Sequence, residues 1–534
     1  MVICTAGKRA LYTVSLLKGV IMKKLSRNQE TVINLASNLL SMLITLAMNF
    51  CLTPYIVKHL GEEANGFTQL ANNFVTYAAL IAATLNFMGA RFMSIEYHKG
   101  EGERVNEYYS SLTIGNYIII FVLAIAGFFC VSNIDSLVRI ENANVNDVKI
   151  LFAFVFGSYF LTLIQSLFST SLFIKNKLIY TNLINICTHV LRFALVMTLF
   201  LTLDKHIYYV SLVDFFLAIL SVFAHMALKR RLLPEVRFSF SMFRLEYVKK
   251  LVISGIWDTV SQLGNLLMTG LDLLLANLFI SPAEMGVLSI AKIIPNNIMR
   301  VGKLINRNFS PNLTILYAKE GKESVVKNLR WAIRLSSAIV SVPVGVLFVY
   351  GEAFFQLWVP SMDAEKLGIL SLLSCMSLVF LSGTHVLYNV FTTTNKLKVN
   401  SISVVAGGLV NFVIVYFVLR FTDFGVYAIA GVSCIIWILR EMIVTLPYAA
   451  HLLDLKWHAF YRDVLISACC FIVISMISYL IQCLLPNAGW LWLIAGVGIS
   501  CILSLFAEGM ILLSKQERRT LLSKLRRKLG KKNA

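Results

Sequence analysis

The chain has 534 residues, of which 58% are hydrophobic and 14% charged, and its mean hydropathy is +0.75. A water-soluble protein cannot bury so much apolar surface, whereas a bilayer accepts it on every outward face. The net charge of +20 does not indicate a nucleic-acid-binding protein, because the basic residues cluster in segments on one side of the predicted membrane.

About fourteen apolar runs are long enough to cross a bilayer, at roughly 20 residues per crossing. They lie near 31–57, 67–90, 112–131, 150–173, 180–202, 206–228, 248–279, 284–311, 328–350, 366–392, 399–420, 424–449, 462–484 and 489–514. The sequence therefore predicts an all-α polytopic membrane protein. Its predicted segments are an N-terminal extension (1–28), a six-helix lobe (29–228), a basic linker (229–247), a second six-helix lobe (248–449), an extra helix pair (450–514) and a basic tail (515–534).

A polar stripe in the first predicted helix recurs 220 positions later. The first set is Asn34, Asn38, Ser41, Thr45 and Asn49, and its equivalents are Ser254, Asp258, Ser261, Asn265 and Thr269. Steps of three and four residues place each set on one helix face. Two repeats that each line a polar surface predict two lobes around a shared cavity, as in transporters. The uncharged first set could hydrogen-bond to sugar hydroxyls or, equally, to neighbouring helices.

The distribution of basic residues predicts the topology. They are concentrated near the N-terminus, in the linker and in the tail, where nine lie between Lys515 and Lys532. All three segments fall on the same side when the spans are counted from the start. The positive-inside rule then places both termini in the cytoplasm. The tail, with leucines at helical spacing, is expected to lie on anionic lipid, and residues 1–21 resemble an extension or a mis-assigned start.

The eighth predicted helix carries one basic face, formed by Lys292, Asn296, Arg300, Lys303 and Arg307. Charges at membrane depth must face a cavity or a partner. Residues at equal depth in an antiparallel hairpin have a constant index sum, which predicts the ion pairs Asp258–Lys303 and Asp272–Lys292. Arg300 is then left opposite neutral Gln262, so Arg300 is the foremost candidate for binding an anionic substrate, with Lys292 and Lys303 behind it.

The remaining charges inside the spans have two possible roles. Arg192 and Asp214 are expected to form a structural ion pair near mid-membrane, with cargo binding or ion coupling as the alternative. Asp258 and Asp272 are the other carboxylates considered for coupling to H⁺ or Na⁺. Arg440–Glu441 and Glu508 are expected at the membrane interface, and the lone histidines His189 and His385 in the apolar core.

No catalytic or metal-binding pattern is evident in the sequence. Ten cysteines are scattered without a CxxC pair, which is typical of small buried apolar residues rather than of a metal or disulfide framework. There is no nucleophile–base constellation and no external loop long enough for a membrane polymerase or ligase. We therefore expect a protein that is not an enzyme and needs no cofactor. A non-transporting assembly subunit is a further alternative.

Residues 55–66 (YIVKHLGEEANG) give a resemblance to a known family. Leu60-Gly61 followed by Asn65-Gly66 resembles the outer turn after helix one in the oligosaccharide flippase branch of the multidrug/oligosaccharidyl-lipid/polysaccharide exporter superfamily. The polar start at Asn34 and Asn38, the two lobes and the final hairpin also match, over residues 23–514. The resemblance implies a V-shaped, two-lobed protein that works by alternating access in the bacterial inner membrane.

The same resemblance implies a cargo, an undecaprenyl-diphosphate-linked oligosaccharide moved from the inner to the outer leaflet. Polysaccharide assembly proteins would be possible partners. Relatives that flip the peptidoglycan precursor place arginines in helices one, two and eight, and this chain matches only in helix eight, at Arg300. An O-antigen, capsule or exopolysaccharide unit is therefore favoured. The alternative is a drug/cation antiporter of the same superfamily, which usually has twelve helices and an acidic residue in its N-terminal lobe.

Overall fold

The computed structural model describes residues 27–485, 489–512 and 518. This part of the chain is helical and contains no strand. In chain order the helices are α1 (Arg27–Lys99), α2 (Gly102–Ser132), α3 (Ile134–Leu137), α4 (Val145–Ile174), α5 (Leu178–Thr202), α6 (Tyr209–Leu232), α7 (Leu245–Asn265), α8 (Asp272–Phe279), α9 (Pro282–Ala291), α10 (Ile293–Glu320), α11 (Lys322–Trp358), α12 (Ala364–Met376), α13 (Leu378–Thr393), α14 (Lys398–Phe421), α15 (Val426–Arg440), α16 (Leu446–Leu452), α17 (Tyr461–Leu484) and α18 (Gly489–Leu512). An all-α polytopic fold is thereby confirmed.

Eleven helical segments of the described chain are long and apolar enough to cross a membrane. The first lies in α1, whose 73 residues would span about 110 Å if straight, far more than a bilayer. Its two arms, 27–60 and 62–99, contain two of the predicted runs. The predicted runs 248–279 and 284–311 are helical but do not meet the same criterion, because they are interrupted and more polar.

Each of these interruptions has a local cause. Gly61 has φ +83° and is non-helical, a conformation that only glycine adopts without strain. The run 248–279 changes to a π-helical turn at Leu266–Gly270 before α8 begins. The run 284–311 breaks at Lys292, between α9 and α10, where Pro295 has no N–H to donate to the preceding turn. Both breaks in the second lobe therefore fall beside its charged residues.

Repeat-equivalent glycines meet where α1 packs on α9. A Cβ on Gly66 would lie 3.0 Å from Cα of Gly286, the residue 220 positions later. Nearby, Asn65 donates a buried 2.8 Å hydrogen bond to Ser289. Such close backbone approach is the general use of small residues where membrane helices pack. The contact brings repeat-equivalent positions of α1 and α9 together.

Equivalent polar contacts recur inside the two lobes. Asn86 and Asn116 exchange two 2.9 Å hydrogen bonds between α1 and α2. The positions 220 residues later are Asn306 and Ser336, and Ser336 donates to Asn306 at 2.9 Å between α10 and α11. The repeat found in the sequence thus corresponds to a repeated packing arrangement.

The final helix pair lies outside this repeat and packs on α11. The buried positions of α17 and α18 include four serines, Ser467, Ser478, Ser500 and Ser504, and such small residues let membrane helices approach closely. Tyr350 of α11 donates to the Ser478 carbonyl at 3.3 Å. The expectations for residues 1–21 and for the amphipathic tail lie outside the described residues, as does the side chain of Arg307.

Candidate functional site

Helices α7 and α10 diverge instead of forming a tight hairpin. α7 packs on the second arm of α1 and on α14, whereas α10 packs on α11 and α13. The predicted ion pair Asp258–Lys303 is therefore wrong: Asp258 is exposed and accepts a 3.0 Å hydrogen bond from Gln262. The equal-depth argument assumed two straight adjacent helices, and the breaks at Leu266–Gly270 and Lys292 remove that condition.

The predicted ion pair between Asp272 and Lys292 is confirmed. It lies where the chain leaves α7 and enters α10, at the point from which the two helices diverge. Asp272 is buried at the start of α8, and Lys292 lies at the break between α9 and α10. Lys292 also donates to the Thr269 carbonyl at 3.3 Å. A buried pair needs such additional hydrogen bonds to offset its desolvation. The two helix breaks are thus joined by one charged contact.

The same π-helical turn connects the two lobes. Tyr77, on the second arm of α1, donates to the Gly270 carbonyl at 2.6 Å, and Asn73 approaches the same oxygen at 3.4 Å. Irregular backbone at membrane depth is tolerated where other parts of the protein satisfy its polar groups. The lobes are therefore held together at the point where the second-lobe helix is interrupted.

A polar surface extends from this junction along α7 and α10. The side chains of Asp258 and Asn265 on α7 and of Thr269 in the π-helical turn are exposed. On α10 those of Asn296, Arg300 and Lys303 are exposed. Among the described residues, neither Arg300 nor Lys303 forms an ion pair. Charged side chains at this depth are tolerated when they face a hydrated space. We call the part of this surface on α10, formed by Asn296, Arg300 and Lys303, the basic face.

An apolar cavity of about 430 Å³ lies on the neighbouring side of α10. It separates α10 from the first arm of α1, and part of α11 closes it. The residues lining it include Leu46, Phe50, Ile294, Ile298 and Val301. These α10 positions are roughly 100° or more around the helix from Arg300 and Lys303. One helix therefore presents cationic groups on one side and an apolar surface on the next.

The polar stripe of the first helix faces the interior of its own lobe. Asn34 donates to the Asn176 carbonyl at 3.1 Å and accepts from the Ile179 backbone at 2.9 Å. Ser41 is buried, and Asn49 accepts from Arg192 at 3.1 Å. These bonds favour the second alternative for the stripe, contact with a neighbouring helix. Asn38 is half-buried and has no side-chain hydrogen bond in the described part.

The pair Arg192–Asp214 is confirmed between α5 and α6. Nε of Arg192 lies 2.7 Å from Asp214 Oδ1, and the guanidinium also reaches Asn49 on α1. The charge therefore ties three helices of the first lobe together. His189, one turn earlier on α5, is half-buried.

Three charged residues expected at the membrane interface are instead buried. Arg440 and Glu441 form an ion pair with side chains 4% and 0% exposed, at the start of a π-helical turn. Arg440 also donates to Tyr388 at 2.7 Å and to Ser403 at 3.2 Å. Glu508 is fully buried and accepts from Ser341 at 2.7 Å. The sequence placed these residues near span ends but gave no signal that other helices cover them.

Aromatic residues close one end of the apolar cavity. Trp358, at the end of α11, donates to the Phe50 carbonyl at 2.8 Å, and their rings stack with centroids 5.3 Å apart. Trp490 of α18 meets Phe50 edge-on at 5.6 Å. This cluster joins α1, α11 and α18 at the end of the bundle that carries Gly61. In the described chain, no group of three or more His, Cys, Asp or Glu converges as a metal site.

The sequence also resembles those of known membrane proteins. A family model described as polysaccharide biosynthesis protein matches residues 32–306, and the chain belongs to this family of membrane proteins. It is 27% identical over 511 residues to the uncharacterized membrane protein EpsK of Bacillus subtilis (strain 168), covering 94% of this chain and 99% of that one.

Two solved structures show the fold. The lipid II flippase MurJ in an inward closed conformation superposes with a TM-score of 0.64 and 14% identity, covering 90% of this chain and 98% of MurJ. An inward-facing multidrug resistance MATE family transporter of the MOP superfamily also gives 0.64, at 13% identity, covering 79% of this chain and 98% of that one. The fold is thus the one shared by these two kinds of transporter.

Proposed function

We propose that this protein is a flippase that moves an undecaprenyl-diphosphate-linked oligosaccharide from the inner to the outer leaflet of the bacterial cytoplasmic membrane. The cargo would supply a surface polysaccharide, either O-antigen, capsule or exopolysaccharide. Membership of the polysaccharide biosynthesis protein family supports the pathway. The fold shared with a lipid II flippase supports the mode of action, alternating access between two lobes.

The observation that carries the proposal is the two-sided surface of α10. A lipid-linked diphosphate has a strongly anionic junction between a polar sugar and an apolar polyprenyl chain. Arg300 and Lys303 supply exposed cationic donors, and a guanidinium matches phosphate oxygens with two parallel hydrogen bonds. The adjoining 430 Å³ cavity is lined mainly by apolar side chains and suits a segment of the hydrocarbon chain.

The cations of the basic face occur in the second half of the repeat and not at the equivalent positions of the first half. They would therefore bind the cargo in a defined orientation. The positions equivalent to Asn296, Arg300 and Lys303 on the second arm of α1 are Thr76, Leu80 and Ala83. The repeat therefore does not need cations at these positions to fold. Asp258 and Asn265 on α7 add an acceptor and an amide for sugar hydroxyls.

Alternating access requires the aromatic cluster to open. Phe50, Trp358 and Trp490 close the Gly61 end, which the predicted topology places outside. Cargo could then leave outward only after the first arm of α1 separates from α11 and α18. In the same topology both termini lie in the cytoplasm, so loading would occur from the inner leaflet.

The first test is to delete the gene in its native host and measure lipid-linked oligosaccharides together with surface polysaccharide. We expect diphosphate-linked units to accumulate on the cytoplasmic face, where a membrane-impermeant probe cannot reach them, while one surface polymer is lost. Accumulation on the outer face would instead indicate a polymerase. An unchanged pool combined with new sensitivity to cationic drugs would refute the flippase and favour the antiporter.

Complementation with single variants tests the basic face. Arg300→Ala should restore the polymer at least about tenfold less efficiently than the wild type, because a charge-assisted hydrogen bond contributes about 1.5–3 kcal/mol. Arg300→Lys should retain part of the activity. Lys327→Ala, which removes an exposed cation from α11 outside the cleft, is the matched control and should behave as the wild type. Full activity of Arg300→Ala would rule out Arg300 as the phosphate-binding residue.

A further inference from the structure

A second cavity, of about 640 Å³, lies at the opposite end of the bundle from Gly61. It is formed by Arg330 and Arg334 of α11, the segment before α17, the start of α17 and the end of α18. Its lining includes Arg330, Arg334, Lys456, Arg462 and Asp463. We call it the basic pocket. It is separate from the basic face, because none of the residues that line it lies on α7 or α10.

The charges around the basic pocket do not balance. Four cationic side chains line it, and Asp463 is the single carboxylate among the described lining residues. Nε atoms of Arg330 and Arg334 lie 3.7 and 3.9 Å from Asp463. Lys456 and Arg462 are exposed and pair with no carboxylate in the part of the chain that the structure describes. Among the described lining residues, positive charges therefore outnumber negative ones, and an anion would neutralise Lys456 and Arg462.

The pocket is organised by backbone as well as by side chains. Arg334 donates to the Leu512 carbonyl at 3.0 Å and to the Arg330 carbonyl at 3.2 Å, which fixes its guanidinium at the wall. The 24-residue helix α17 begins at Tyr461, so its first free N–H groups and the positive end of its dipole point to the same region. Both features add favourable interactions for an anionic group.

The position of the pocket matches the headgroup level of a membrane. The spanning helix α17 starts here, and the spanning helix α18 ends here at Leu512, whose carbonyl accepts from Arg334 of α11. Trp457 beside it is 64% exposed, and tryptophan is enriched at this boundary. One wall is apolar, with Ile466, Ile511 and Leu512. A ligand with an anionic head and acyl chains would thus place its head among the cations and its chains against this wall.

The repeat shows that these arginines are not required by the fold. The positions 220 residues before Arg330 and Arg334 are Ser110 and Ile114, on the equivalent helix α2. The cations occur only in the lobe that carries the extra helix pair α17–α18. Their presence is therefore tied to what packs or binds beside that pair.

We propose that the basic pocket binds the phosphate headgroup of an anionic membrane phospholipid, which occupies the junction of α11 with the final helix pair. The proposal goes beyond the flippase function and does not depend on it. Clusters of Lys and Arg on the cytoplasmic side of membrane helices recognise anionic headgroups in this way. The bound lipid would hold the final helix pair against the second lobe.

Titration of purified full-length protein with short-chain lipids tests the proposal. Dioctanoyl phosphatidylglycerol should bind and raise the melting temperature, whereas dioctanoyl phosphatidylcholine should do neither. The variant Lys456→Ala/Arg462→Ala should bind the anionic lipid roughly thirtyfold more weakly, since each basic residue near the headgroup changes affinity about fivefold. Both side chains are exposed, so the variant should fold, and its melting temperature without lipid should equal that of the wild type.

The matched control is Arg230→Ala/Arg231→Ala. It removes two exposed cations from the last turn of α6, at the same end of the bundle as the basic pocket. It should bind the lipid within about twofold of the wild type. An equal loss in both variants would show a general surface-charge effect and overturn the proposal. So would unchanged binding by the pocket variant. Inorganic phosphate or glycerol phosphate that stabilises the protein as well as the lipid does would refute the lipid and assign the pocket to a soluble phosphate.

Discussion

Removing one member of the buried ion pair Asp272–Lys292 should destabilise the protein strongly. Replacing both members by apolar residues should have a much smaller effect on stability. The two side chains are 3% and 15% exposed, so neither charge can be hydrated if its partner is removed. Asp272→Asn leaves the buried Lys292 ammonium without an anionic partner, and Lys292→Met leaves a buried carboxylate without a cation. Each single variant should lose about 3–5 kcal/mol of stability.

The double variant Asp272→Leu/Lys292→Met should lie much closer to the wild type than either single variant, because no uncompensated charge remains. Melting of the purified proteins, followed by the fluorescence of the seven tryptophans, gives the ranking. Lys322→Met, which breaks the exposed pair with Asp454, is the control and should melt almost as the wild type does. A double variant as unstable as the sum of the two single variants would refute the reasoning.

Two further predictions concern helix packing. For the pair Arg192–Asp214, loss of either charge alone should lower the yield of folded protein more than Arg192→Met/Asp214→Leu does; equal damage in all three variants, by size-exclusion chromatography, would contradict a structural pair. Gly286→Ala should destabilise by about 1–3 kcal/mol, because its Cβ would lie 2.4 Å from the Glu62 carbonyl oxygen. Gly431→Ala has no atom within 4 Å of the new Cβ and should be neutral or slightly stabilising on the same melting scale.

Several local features could be derived from the sequence because they depend on neighbours along the chain. The spans follow from apolar runs, which the bilayer selects by length. The pairs Asp272–Lys292 and Arg192–Asp214 each join segments linked by a short turn, so equal depth was enough to identify them. The repeat was visible because both lobes keep the same small and polar residues where their helices cross.

The same reasoning failed where helices far apart in sequence decide the environment. Asp258 and Lys303 also satisfied the equal-depth rule. They form no pair because α7 packs on α1 and α14, whereas α10 packs on α11 and α13. Arg440, Glu441 and Glu508 lie near span ends, but helices from elsewhere in the chain cover them. Burial of these groups depends on packing partners that no local pattern specifies.

The sequence by itself determined that this is a helical membrane protein with two related halves, and it singled out the basic face of α10, because hydrophobic length, repetition and charge spacing are properties of contiguous segments. Only the tertiary structure decided where these faces point. It turned the polar stripe of the first helix towards α5, set an apolar cavity beside Arg300, and assembled the basic pocket from four separate segments. The breaks at Leu266–Gly270 and Lys292 redirect α7 and α10, whereas the basic pocket depends on the packing of α11 against α17 and α18. Both arrangements are fixed by contacts between segments far apart in sequence.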